Sequence, residues 1–220
     1  MKYQLIHFRS QSLLACFAAA SLMTRVAAAE VFINFDAHAD GTPFSGQYGQ
    51  IAFTEYASLG LTLSTIGSQN SMANVIASNP ANVGSPFSGF GLSASFPGTG
   101  GAVSIFLRFA TPVQSLSFDF NATGGTLLVA GDRPTGERVF NASLPANQPF
   151  IDVFGTGSGA GSAAFTFSEP LRTVVLGLPT TYGLIGMDNL RFTPVPEPST
   201  WALLLLGAAS LGFTLRRRPM

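Results

Sequence analysis

Hydrophobic and polar residues alternate with a period of two along most of this chain, between clusters of Gly, Pro and Asn. That period puts successive side chains on opposite faces of extended backbone, so each alternating run predicts a strand with one apolar face. In AVSIFLRF, Val103, Ile105, Leu107 and Phe109 share a face, and in VQSLSFDF, Leu116, Phe118 and Phe120 do the same. Ala110-Thr111-Pro112 joins the two runs, and a proline that cannot donate to a ladder predicts a turn or a first strand position there. Further strands are expected at 31–35, 61–65, 126–130, 138–144, 151–154, 163–167, 173–178 and 185–192. Segment 67–101 is rich in Asn, Ser, Gly and Pro with weak alternation, and reads as long surface loops with at most one edge strand. About nine or ten short strands without an amphipathic helix predict an all-β fold, a two-sheet antiparallel β-sandwich of jelly-roll type.

Both ends break this pattern. Lys2 and Arg9 form a basic leader, 13–23 an apolar core, and Ala27-Ala28-Ala29 a small-residue cleavage site before Glu30, which together read as a signal peptide over 1–29. A lipid-attachment box at Leu13-Leu14-Ala15-Cys16 is the alternative, and it would leave almost no apolar core after Arg9. At the other end an uncharged apolar run from Trp201 to Leu215 meets Arg216, Arg217 and Arg218. Fifteen helical residues reach roughly 22 Å against a hydrocarbon core of ~30 Å, so the run is a short transmembrane helix, extended to 200–215 by Thr200. Arginines flanking a span stay cytoplasmic, which places everything before Pro198 outside.

The tail resembles the PEP-CTERM sorting signal of exported bacterial proteins: Pro196-Glu197-Pro198, a short apolar helix, then the Arg216–Arg218 cluster, in that order. The resemblance covers the end of the chain only and implies processing by an exosortase at the inner membrane of bacteria that make exopolysaccharide. The expected organisation is a signal peptide at 1–29, a β-sandwich ectodomain at 30–193 and the sorting signal at 194–220. FINFD, the Tyr-x-x-x-Gly-Leu-Thr-Leu stretch at Tyr56 to Leu63, SLSFDF and IGMDNLRF are similar to the jelly-roll domains common in such proteins and, more distantly, to carbohydrate-binding and adhesion modules.

Charge narrows the ectodomain's chemistry. From Glu30 to Val195 there are five arginines, no lysine and ten acidic residues, poor equipment for holding phosphates, so nucleic acid is not an expected partner. The single cysteine, Cys16, lies in the leader, which rules out a disulfide framework or a thiol nucleophile in the ectodomain. His38 is its only histidine, and a Ser-His-Asp triad or a histidine zinc centre finds little support.

DAHADG, Asp36 to Gly41, has carboxylates and a glycine in the manner of a calcium loop. His38 at an oxygen position, Gln47 at the twelfth and the lack of flanking helices reject a helix-loop-helix site. The resemblance to jelly rolls implies a different pairing, in which a carboxylate of the opening strand meets the Asp of the closing strand: Asp36 and Asp188 with a structural calcium ion. The competing reading has Asp36 and Asp40 beginning a turn and Asp188 capping a strand end. Asp119 is expected on the sheet face opposite Phe118 and Phe120, and no residue is assigned as catalytic.

GTGSGAG, 155–161, lacks the Lys-Ser/Thr ending of a phosphate loop and reads as a flexible strand connection; Asp132 to Gly136 reads as a hairpin turn. Asn121 and Asn141 fit the acceptor pattern for glycosylation by sequence alone. For sugar stacking, Tyr48, Tyr56 and Tyr182 are the candidate platforms, with hydrogen-bonding groups in 70–88. Three functions stand in order: a non-catalytic exported surface or matrix protein of the exopolysaccharide layer or biofilm, a secreted carbohydrate-binding module with calcium, and a glycoside hydrolase.

Overall fold

The computed structural model describes residues 29–46, 48–66, 72–79, 82–95, 103–151, 157–179, 183–195 and Gly207. Eleven strands follow one another: β1 (Val31–Ile33), β2 (Tyr48–Ala52), β3 (Leu61–Ile66), β4 (Met72–Ala77), β5 (Phe90–Ser95), β6 (Ser104–Ala122), β7 (Thr126–Asp132), β8 (Arg138–Pro145), β9 (Gln148–Ile151), β10 (Gly157–Gly177) and β11 (Leu184–Pro194). Among the described residues a single 3-10 turn, Ala57–Leu59, interrupts them. The fold is all-β, and every strand pairing is antiparallel.

Two strands are far longer than the sequence pattern suggests. AVSIFLRF and VQSLSFDF are not a hairpin; they are halves of β6, which runs unbroken through Pro112. The same holds for the pair expected at 163–167 and 173–178, which are halves of β10 around Pro170. In both strands the inward face changes phase at the proline: Ile105, Leu107 and Phe109 point in before it, Leu116, Phe118 and Phe120 after it. In β10 the register against β6 breaks between Thr166 and Leu171, and Leu171 then pairs with Val113. The prolines therefore mark a shared corner, because a residue without an N–H is tolerated where a ladder bends or bulges.

The corner divides the ladder into two wings. The first holds β3, the early half of β6, the late half of β10, β7 and β8. The second holds β2, β4, β5, β11, the late half of β6, the early half of β10 and β9, with β1 beside β11. All eleven strands thus belong to one hydrogen-bonded network, where two separate sheets were expected. Strands that bend at a corner pass from one layer to the other without a break. Inward residues of both wings, among them Leu63, Leu107 and Val174 from the first and Val75, Leu92, Phe120 and Met187 from the second, share one buried core.

Segment 67–101 also departs from expectation. It supplies β4 and β5, and β5 lies inside the sheet between β4 and β11. Their inward residues are Ala73, Val75, Leu92 and Ala94, too few and in part too small to give a strong alternation signal. β2 was not predicted either. Part of the glycine run, Gly157–Gly161, is strand and not connection, paired on both edges with β9 and β6. Among the described residues no helix is long and apolar enough to cross a membrane. The expected signal peptide and the helix at 200–215, Gly207 excepted, lie outside the described residues.

Candidate functional site

After β1 the chain turns sharply at Phe35, whose φ is 55°. The Phe35 ring is fully buried edge-on against Tyr56, with centroids 5.4 Å apart. Turning inward there swings Asp36 across to the start of β5. Its Oδ1 accepts the Phe90 N–H at 2.7 Å, and its Oδ2 accepts Asn34 Nδ2 at 3.0 Å. Gly89, at φ 68°, makes the approach possible, since a Cβ on it would lie 2.0 Å from Asp36 Oδ1.

Asp188 reaches the same segment. It sits within β11, not at a strand end, and is 1% exposed. Oδ1 accepts Asn189 N–H at 2.7 Å, while Oδ2 accepts Ser88 N–H at 3.3 Å and Asn189 Nδ2 at 3.4 Å. Burial pushes its pKa up to about 7; the backbone N–H groups of Asn189 and Ser88 oppose that rise, and the charges of Asp36 and Asp119 add to it. The two carboxylates expected together thus each accept one backbone N–H of Ser88 to Phe90, Asp188 that of Ser88 and Asp36 that of Phe90.

A calcium ion takes six to eight oxygen ligands. Here both oxygens of each carboxylate already accept N–H groups. Among the described residues no group of three or more His, Cys, Asp or Glu could hold a metal. The pair supplies negative charge for a cation without the full ligand set.

The rest of DAHADG is a turn. Asp40 Oδ1 accepts Thr42 N–H at 2.9 Å, which lowers the pKa of Asp40, and Gly41 takes φ 86°. His38 Nδ1 lies 3.1 Å from Glu55 Oε1, which also accepts Ala39 N–H at 3.0 Å. Tyr56 is not a sugar platform: it is 2% exposed, donates to Ala37 O at 2.9 Å, and burial raises its pKa. Tyr182, the Tyr48 side chain and Gln47 lie outside the described residues. Asn121 is 2% exposed, which closes it to glycosylation in the folded state, whereas Asn141 is exposed on β8. Asp132 to Gly136 forms the expected hairpin turn, with Gly136 N–H donating to Arg133 O.

Asp119 lies on the outer face, as its register against Phe118 and Phe120 implied. It opposes both Asp188 and Ser162 across the ladders. A cavity of about 20 Å³ lies nearby, lined by Ser93, Asn121, Phe87 and Phe150, and is too small for a sugar ring. Sequence reasoning reached Ser88 only as the end of the hydrogen-bonding stretch 70–88 and missed Phe90, because its contribution is a backbone N–H, which carries no residue signature. Asn189 was legible only as the residue after Asp188; its left-handed backbone, φ 50°, emerges from a register break against β6.

β11 ends at Pro194, and the Val195 N–H still donates to Pro112 O at 2.7 Å. The family model for the PEP-CTERM protein-sorting motif matches residues 194–218. This chain carries a PEP-CTERM sorting motif. The motif begins on the last residue of a central strand, and it marks an exported protein processed by exosortase at the membrane. Pro196, Glu197, Pro198 and Arg216 to Arg218 fall within the match and outside the described residues. No curated protein matches the chain. Among solved structures, a family 29 carbohydrate-binding module complexed with cellulohexaose is 15% identical, covering 77% of this chain and 93% of its own at a TM-score of 0.37. Another, complexed with mannohexaose, is 17% identical over 76% and 93%, with a TM-score of 0.36. At such TM-scores neither a shared topology nor a shared ligand follows.

Proposed function

We propose that this PEP-CTERM protein is a non-catalytic protein of the cell surface or extracellular matrix, associated with exopolysaccharide or biofilm. Its chain comprises a signal peptide at 1–29, a jelly-roll-like ectodomain at 30–193 and a sorting signal at 194–220. The ectodomain faces the periplasm while the tail helix holds it at the inner membrane, and exosortase then releases it from that tether. The observation that carries this reading is the sorting motif joined without a spacer to β11. Backbone through Val195 is tied into the sheet, so the bond cut in the folded protein lies beyond Val195. Mass spectrometry of the C-terminus of surface-fraction protein tests this: a terminus between Val195 and the apolar run is expected, and a terminus at Met220 overturns it.

A second reading is a carbohydrate-binding module with calcium, and it draws on the charge of Asp36, which adds to the rise that burial gives the pKa of Asp188. A cation there would offset that charge. Calcium is then expected to raise the melting temperature of the wild type and leave Asp36→Asn unchanged. A melting temperature indifferent to calcium and to EDTA removes the ion from this reading.

A further inference from the structure

Three neighbouring strands of the second wing, β10, β6 and β11, carry polar side chains on their outer face, and β1 adds Phe32 beside them. Ser162, Asp119, Ser117, Asn189 and Arg191 line a shallow groove of about 460 Å³. Asp119 is its centre, accepting Ser162 Oγ at 2.6 Å on Oδ1 and Asn189 Nδ2 at 2.9 Å on Oδ2. A carboxylate offers about four lone-pair sites, so about half remain for hydroxyl donors from outside. These two bonds fix the carboxylate in one orientation.

Asn189 reaches Asp119 only through the register break after Asp188 and its left-handed backbone. Bulges re-aim single side chains in this way, and strained non-glycine residues gather where ligands are held. At the groove's end Arg191 stacks over the Phe32 ring, 4.0 Å from its centroid, and Phe32 is 44% exposed. The stack is a flat surface, apolar on the ring and donating at the guanidinium rim. Next along the same face Ser115 Oγ donates to Thr193 Oγ1 at 2.8 Å, continuing a strip of hydroxyls.

We propose that this groove binds a neutral polysaccharide chain. Paired sugar hydroxyls donate to Asp119, Arg191 donates to sugar oxygens, and a pyranose ring lies against the Arg191–Phe32 stack. Charge selects against acidic chains, because Asp119, the neighbouring Asp36, and Glu30, 3.4 Å from Arg191, outnumber the one guanidinium. An open groove across several strands suits an extended polymer better than a small enclosed molecule. The proposal rests on the surface-protein reading only for the presence of polysaccharide around the folded domain.

The test uses the full chain in a detergent without a sugar headgroup, titrated calorimetrically with cellohexaose, mannohexaose and hexagalacturonate. A neutral hexasaccharide is expected to bind saturably and hexagalacturonate not at all. Asp119→Ala and Arg191→Ala should each weaken binding at least about tenfold with little change in melting temperature, while Arg138→Ala on the first wing leaves it unchanged. Should Asp119→Ala fail to fold, Ser117→Leu blocks the groove from its floor and is expected to abolish binding. No binding of either neutral hexasaccharide, unaltered binding in the groove variants, or preference for hexagalacturonate overturns the proposal. The C-terminal mass reports sorting separately, so lost sugar binding with normal cleavage overturns the groove alone.

Discussion

Asp188 concentrates the residue-scale physics. Its carboxyl titrates near 7 in the fold against about 4 in an unfolded chain, so between those values the folded state holds a proton that the unfolded state has released. Stability from this group is complete below about pH 4 and is lost as pH rises through 7, the reverse of a salt-bridged aspartate. The melting temperature is therefore expected to fall between pH 5 and pH 8, and Asp188→Asn should flatten that slope. A slope unchanged in Asp188→Asn would place the titration elsewhere. Gly89 makes a second prediction: Gly89→Ala meets both the left-handed φ and Asp36 Oδ1, and is expected to cost about 1–3 kcal/mol by chemical denaturation. Asp36 and Asp188 came together as a pair only through the resemblance to jelly rolls. The backbone N–H groups that they grip had no signal to read.

At the scale of the element, alternation located both halves of β6 and of β10 and misjudged how the halves join. A change of phase at a proline fits either a turn or a corner, and local sequence does not distinguish them. The difference lies in pairing: Leu171 opposes Val113 across the corner, so both long strands bend together. Their central halves carry large buried rings, and Phe118→Ala, removing one that is 2% exposed, should cost about 3–5 kcal/mol. Denaturant unfolding checks that value. Strands β4 and β5 escaped notice for the opposite reason. Val75 and Leu92 are their larger inward anchors among Ser, Asn, Gly and Ala, and neighbouring strands complete the burial.

For the whole molecule, the position of β11 couples folding to delivery. It is the strand nearest the tail, yet β5 and β6 flank it and β1 also pairs with it. A chain ending at Val195 is expected to melt within a few degrees of the full chain, whereas one ending at Leu184 should fail to fold. Circular dichroism melting of the two truncations checks this. Retained cooperative melting in the shorter one would show that β11 is dispensable. Cleavage beyond Val195 would leave the sheet whole, which suits a sorting signal that begins where the last strand ends.

The sequence alone determined the all-β character, the inward faces of the strand halves, the outward place of Asp119 and the sorting motif. These are local properties, set by a two-residue period or by a contiguous string of residues. Only the tertiary structure decided that two prolines form one corner, that two wings share one ladder, and that Asp188 and Asp36 hold the two ends of the segment Ser88 to Phe90. It also decided that Asn189, Asp119, Ser162 and Arg191 line one groove. Those arrangements depend on partners 43 to 100 positions apart in sequence, such as Asp119 with Ser162 or Asp188 with Ser88, and pairing register is fixed only when the whole core packs.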